Sequence, residues 1–167
     1  MNLLCLPGGA GETGPAARVR RPHFLHPGQL IASPAPALVT TILGSCVAVC
    51  LWDTAAAVGG VNHFILPFGP GGDPAPHRFG GPATRDLIGR LLQLGASRQT
   101  LQAKVFGGAS TAPGRGAAEA LGFRNVARAL EVLDAEGIPV TARDTEGSRG
   151  RKLLFQTDDG AAWVRAL

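Results

Sequence analysis

The stretch Leu38-Val-Thr-Thr-Ile-Leu-Gly-Ser-Cys-Val-Ala-Val-Cys-Leu-Trp52, followed by Val58-Gly-Gly-Val-Asn-His-Phe-Ile-Leu66, decides the fold. The first part is the densest apolar run in the chain. It is too β-branched, and too interrupted by Gly44, to read as a helix. Val47, Val49 and Leu51 alternate with Ala48, Cys50 and Trp52, and both sets are apolar. A strand with two apolar faces is buried on both. Residues 53–57 form a turn, and Pro67 closes the second run. The two runs therefore predict an antiparallel hairpin.

Upstream, residues 24–31 predict a short strand broken by Pro27-Gly28, and Ser33-Pro-Ala-Pro36 predicts a turn. Downstream, residues 68–81 are a fourteen-residue loop rich in Gly and Pro, a length that often carries function. Leu87, Ile88, Leu91, Leu92 and Leu94 repeat at helical spacing over residues 82–94, and Gly95 stops the helix. Residues 101–106 predict a strand, and residues 110–116 a loop. Val126, Leu130 and Leu133 mark a second helix over residues 125–135, ended by Gly137. Short strands follow at 138–142, 152–156 and 163–167. Strands, helix, strand, helix and strands in that order predict an α+β fold with mixed β-sheets, not a regular βαβ alternation.

Composition agrees. A chain of 167 residues holds one domain with a sizeable core. With 24 Gly and 13 Pro, a coiled coil or long helical bundle is excluded. Residues 1–21 read as a flexible N-terminal arm, and residues 22–167 as a single domain. The glycines from Gly8 to Gly14 lack the Gly-Lys-Ser/Thr ending of a phosphate loop. The net charge of +4 comes from scattered arginines, with one tight cluster at Arg18, Arg20 and Arg21. Nucleic-acid binders carry a clustered basic stripe with aromatics to stack on, so no nucleic-acid partner is expected. No apolar run approaches the roughly 20 residues that span a bilayer, so no membrane insertion is expected. The start has no basic n-region and only a brief apolar run, unlike a signal peptide. Three cysteines, Cys5, Cys46 and Cys50, do not suit a secreted disulfide framework. The expected compartment is the cytoplasm.

The residues that carry chemistry lie inside the hairpin. Cys46 precedes His63 by seventeen residues. In one register the two face each other directly, with Cβ atoms about 4.5–5.5 Å apart. A one-residue shift puts them on opposite faces unless a bulge intervenes, and Gly44 suits a bulge. A thiol beside an imidazole is a nucleophile with a base and acid at hand. A metal site using both Cys46 and Cys50 is excluded. Strand residues four apart lie about 13 Å apart, far beyond a pair of Zn–S bonds of about 2.3 Å. Cys50 reads as core packing. Ser45 points away from Cys46 and has no evident base. His23, His26 and His77 read as surface residues.

Thr40-Thr-Ile-Leu-Gly-Ser-Cys-Val-Ala-Val-Cys-Leu-Trp-Asp53 and Gly59-Gly-Val-Asn-His-Phe-Ile-Leu-Pro67 closely resemble the CheD family of chemoreceptor glutamine deamidases. Further matches follow in order: His26-Pro-Gly28, Arg78-Phe-Gly80, Ala103-Lys-Val-Phe-Gly-Gly-Ala109, Gly122-Phe-Arg-Asn-Val126, and Asp144 to Gly147 with Arg151 and Phe155. The resemblance implies hydrolysis of glutamine side chains to glutamate, with release of ammonia, on the cytoplasmic helices of chemotaxis receptors. It implies a sandwich similar to the cysteine hydrolase domain of cytotoxic necrotizing factors. It also implies Cys46 as nucleophile, His63 as its histidine and Thr40 as the third member, with Thr41 adjacent. A thioester intermediate and no metal or cofactor follow. Some members bind a CheC phosphatase, so a non-enzymatic adaptor is the alternative. Ile65, Thr111 and Glu146 depart from the residues usual in the family. The last of these falls in a turn near the site.

Overall fold

The computed structural model describes residues 4–6, 18–110 and 120–167. In chain order the elements are β1 (Leu4–Leu6), β2 (Arg21–Phe24), β3 (Leu30–Ser33), β4 (Ala37–Leu43), β5 (Val47–Asp53) and β6 (Val58–Phe64). A 3-10 turn (Pro76–Arg78), α1 (Gly80–Gln93), β7 (Leu101–Gly107), α2 (Leu121–Ala135), β8 (Val140–Thr145), β9 (Arg151–Gln156) and β10 (Ala162–Ala166) complete it. The strands form two five-stranded sheets among the described residues, in the orders β1-β10-β9-β4-β2 and β3-β6-β5-β7-β8. Each is mixed: β2 runs parallel to β4, and β7 parallel to β8, while the other neighbours are antiparallel. The fold is the α+β arrangement of mixed sheets that the residue pattern predicts, packed as the sandwich that the family resemblance implies.

Three layers follow from two apolar clusters. Val39, Leu43, Leu153 and Phe155 of the first sheet meet Ala48, Cys50, Trp52 and Phe106 of the second. The opposite face of the second sheet, through Val47, Val49, Leu51 and Val105, packs on Leu87 and Leu91 of α1 and Val126 and Ala129 of α2. Every residue of β5 is therefore buried, as its two apolar sets require. Each fully buried Val or Leu contributes about 1.5–3 kcal/mol. A charge introduced at Val47, Val49 or Leu51 would disrupt the packing of the second sheet on the helices.

The long apolar run is two strands, not one. The chain leaves the first sheet at Leu43 and enters the second at Val47. Residues 44–46 are the crossing, and Cys46 sits in it. The β5–β6 hairpin has the predicted pairing, but its register differs from both that were considered. Ala48 lies opposite His63, and Asp53 opposite Val58. The turn takes four residues, 54–57. Asp53 Oδ1 accepts from Ala55 N and Ala56 N at 2.7 and 2.8 Å, and Ala57 adopts φ 55°.

Other boundaries shift modestly. The second helix begins at Leu121 rather than 125, because Gly122 lets its first turn seat directly against the backbone of Gly108 and Ala109. In the stretch expected to be an arm, β1 pairs with β10, and Arg20 binds Asp158 and Asp159 at 2.7 and 2.9 Å. The Gly8–Gly14 stretch and most of the 110–116 loop, with Thr111, lie outside the described residues.

Candidate active site

His63 is the best-anchored residue of the site. Its backbone N–H donates to Gln29 O at 2.9 Å, and its carbonyl accepts from Gly28 N at 2.7 Å. The turn that does this needs φ +80° at Gly28, which explains the glycine after His26-Pro27. The side chain shares a face with Val61 and projects between the two sheets. There Nδ1 lies 2.8 Å from Thr41 Oγ1. Thr41 Oγ1 itself donates to Leu25 O at 2.8 Å. A hydroxyl has one proton, so the hydrogen to Thr41 must come from His63 Nδ1. The neutral ring then carries its lone pair on Nε2. That atom is buried and has no hydrogen-bond partner among the described residues. Burial holds the His63 pKa down at about 4, the Leu25 carbonyl opposing and His26 adding slightly. Around neutral pH the ring is a base with its accepting nitrogen unoccupied.

Thr41, not Thr40, therefore holds His63, which corrects the assignment drawn from the family pattern. In β4 Ala37, Val39, Thr41 and Leu43 point to the interior, whereas Leu38, Thr40 and Ile42 point out. Thr40 sits between Phe24 and Leu154 on the outer face. The alternation of a strand excludes it from a site between the sheets.

Cys46 is half-buried and packs against the apolar cluster between the two sheets. It is two residues before Ala48, which lies opposite His63. Cys46 thus lies one residue beyond the end of the ladder that carries His63. The three consecutive carbonyls of the crossing are each captured. Ala109 N donates to Gly44 O at 2.8 Å, Asn125 Nδ2 to Ser45 O at 2.9 Å and Gly108 N to Cys46 O at 2.8 Å. Burial pushes the Cys46 thiol up, against the influence of its own backbone N–H. Burial thus favours the neutral thiol at Cys46 and the neutral imidazole at His63. Cys50 is wholly buried, and burial drives its thiol far up, as a packing residue requires.

The remaining matched motifs brace this centre. Arg151 donates to Asp144 Oδ1 at 2.8 Å and to Glu146 O at 2.7 Å, and Glu146 N donates to Gly107 O at 2.8 Å. This supports the Gly107–Ala109 segment from behind. The loop after His63 is tied at its neck, where Ile65 N and Leu66 N donate to Arg78 O and Gly80 N donates to Leu66 O. Within it, Phe68, Phe79, Pro82 and Arg128 line a cleft of about 310 Å³. His77 is a partly exposed surface residue, and its Nε2 meets Asp86 Oδ2 at 2.7 Å. Sequence reasoning gave no role to Asn125. The signal was present: one amide in the otherwise apolar buried stripe Gly122, Val126, Ala129, Leu133.

Comparisons with known proteins agree with these motifs. Residues 66–166 match the family model described as CheD chemotactic sensory transduction. "Probable chemoreceptor glutamine deamidase CheD 1" of Anaeromyxobacter dehalogenans is 49% identical over 158 residues, 95% of this chain and 91% of the relative. "Probable chemoreceptor glutamine deamidase CheD" of Rhodospirillum rubrum is 44% identical over 144 residues, 86% of this chain and 81% of the relative. Among solved structures, the hypothetical protein YfiH of Bacillus licheniformis aligns with a TM-score of 0.49 at 12% identity, over 81% of this chain and 59% of its own.

Proposed function

This chain belongs to the CheD family, and we propose that it is a cytoplasmic amidohydrolase that converts glutamine side chains of chemotaxis receptors to glutamate. Cys46 is the nucleophile, His63 the base and then the acid, and Thr41 the residue that orients His63. The observation that carries this reading is the buried, unpartnered Nε2 of His63, near the end of the ladder beyond which Cys46 lies.

The reaction follows from the proton inventory. The Cys46 thiol gives its proton to His63 Nε2 as sulfur attacks the glutamine amide carbon. A C–S bond forms, and the carbonyl π pair moves onto oxygen. The oxyanion collapses, the C–N bond breaks, and the proton on Nε2 leaves with the nitrogen as ammonia. A γ-glutamyl thioester remains on Cys46. Water then loses a proton to Nε2 and attacks the thioester, and collapse returns the proton to sulfur with release of glutamate. While His63 is charged, Thr41 keeps Nδ1–H in place, the third-member role. Each turnover puts one negative charge on a receptor helix, which can bias its packing.

The test incubates the protein with the cytoplasmic fragment of a cognate receptor and reads glutamine-to-glutamate conversion by peptide mass spectrometry. The wild type converts specific glutamines, and Cys46→Ala and His63→Gln do not. Conversion that persists in Cys46→Ala would refute the mechanism. A purely adaptor role, such as docking a CheC-like phosphatase, predicts no conversion in any variant.

A further inference from the structure

Asn125 is fully buried, and its carboxamide sits where the β5–β6 ladder runs out. Pairing ends at Val47 opposite Phe64. Just beyond that point the two Nδ2 hydrogens of Asn125 reach Ser45 O at 2.9 Å and Ile65 O at 2.8 Å. One amide thereby ties the residue before Cys46 to the residue two beyond His63. Its Oδ1 is buried and unpartnered among the described residues. The reverse orientation would set Oδ1 against two carbonyl oxygens, so the donor side must face them.

A trans peptide points its C=O and N–H in opposite directions within one plane. Holding Ser45 O therefore fixes the direction of Cys46 N–H. The flanking planes are fixed in the same way, through Gly44 O on Ala109 N and Cys46 O on Gly108 N. Those two contacts use backbone donors that any sequence supplies. The middle plane depends on one side chain.

We infer that Asn125 is a positioning residue for the deamidation: it holds the Ser45–Cys46 peptide so that Cys46 N–H faces the oxygen that becomes negative when sulfur attacks. The inference rests on the proposed reaction and deepens it. A donor preorganised in this way needs no reorientation as charge develops, which is where backbone donors contribute most to rate.

The experiment compares wild type, Asn125→Asp and Asn125→Ala. Asn125→Asp preserves shape but presents oxygens to Ser45 O and Ile65 O. In both variants kcat falls on the order of 10²-fold, the scale seen for loss of an oxyanion donor, while KM stays within about twofold. Alkylation of Cys46 by iodoacetamide develops no oxyanion and stays within about twofold of wild type. The Cys46 amide peak in nitrogen–proton correlation spectra shifts in Asn125→Ala, while those of β9 do not. An unchanged kcat in either folded variant, or kcat and alkylation falling in parallel, would overturn the inference. A wild type that converts no glutamine removes the proposed function instead. In that case an unmoved Cys46 amide peak still overturns the claim about the peptide plane.

Discussion

Thr41 Oγ1 lies 2.8 Å from His63 Nδ1 although the two residues belong to different sheets. The contact fixes a tautomer, since the Thr41 proton is spent on Leu25 O. Thr41→Val keeps the shape and removes the acceptor. The expected loss in kcat is about tenfold, corresponding to a hydrogen bond of about 1–1.5 kcal/mol. Thr40→Val, on the outer face, leaves kcat within about twofold. Steady-state deamidation rates check both, and equal losses would contradict the assignment.

Burial of His63 makes stability depend on pH. Its folded pKa is about 4, against an ordinary 6.5. The unfolded chain thus binds a proton in a window where the folded protein does not. The stabilisation is complete above pH 6.5, declines as pH falls below it, and is gone below about 4. The slope from this group is at most about 1.4 kcal/mol per pH unit. Urea denaturation across that window should show the decline in wild type and a flatter profile in His63→Gln.

Under the proposed mechanism a neutral Cys46 thiol gives its proton to neutral His63 during attack, not before it. Cys46 in the free protein should therefore alkylate more slowly at neutral pH than a free cysteine, with its profile displaced to higher pH. The same arrangement predicts a normal solvent deuterium isotope effect on kcat/KM. A rapidly alkylated Cys46 with an acid-shifted profile would point to a preformed ion pair instead.

Glu146 occupies a left-handed turn position, φ 66°, followed by Gly147 at φ 73°. A side chain there costs about 1–2 kcal/mol relative to glycine. Glu146→Gly should recover about 1 kcal/mol, raising Tm by about 2–4 °C for a domain of this size. The Glu146 contacts to Arg151 and Gly107 run through its backbone, so they survive the change. A lower Tm would show that the carboxylate contributes something the backbone contacts do not.

Much of the architecture is legible in the residues because it rests on periodicity. The two apolar sets of residues 47–52 predict burial on both faces, and β5 is covered by a sheet on one side and helices on the other. The register was not legible. The residues predict a turn over 53–57, but Asp53 stays paired with Val58 and Ala57 takes a left-handed conformation with no glycine or asparagine to announce it. A shift of this size changes which residue faces His63. Thr40 and Thr41 were equally ambiguous, since both faces of residues 38–43 carry apolar side chains and only the docking of β4 tells inside from outside. Asn125 lies in a matched motif, but its task depends on meeting two loops some 60 and 80 residues away in the chain.

The crossing at residues 44–46 has a consequence for how the molecule fails. The acceptor for His63 hangs from one sheet, the imidazole from the other, and the thiol from the strap between them. Neither sheet alone holds a working set. A slip of the two layers by a single residue would preserve every ladder and most of the greasy contact area, yet dismantle the chemistry. Under the proposed mechanism turnover is a gauge of inter-layer alignment, and should vanish in a loosened, still β-rich state well before the backbone signal of the strands does.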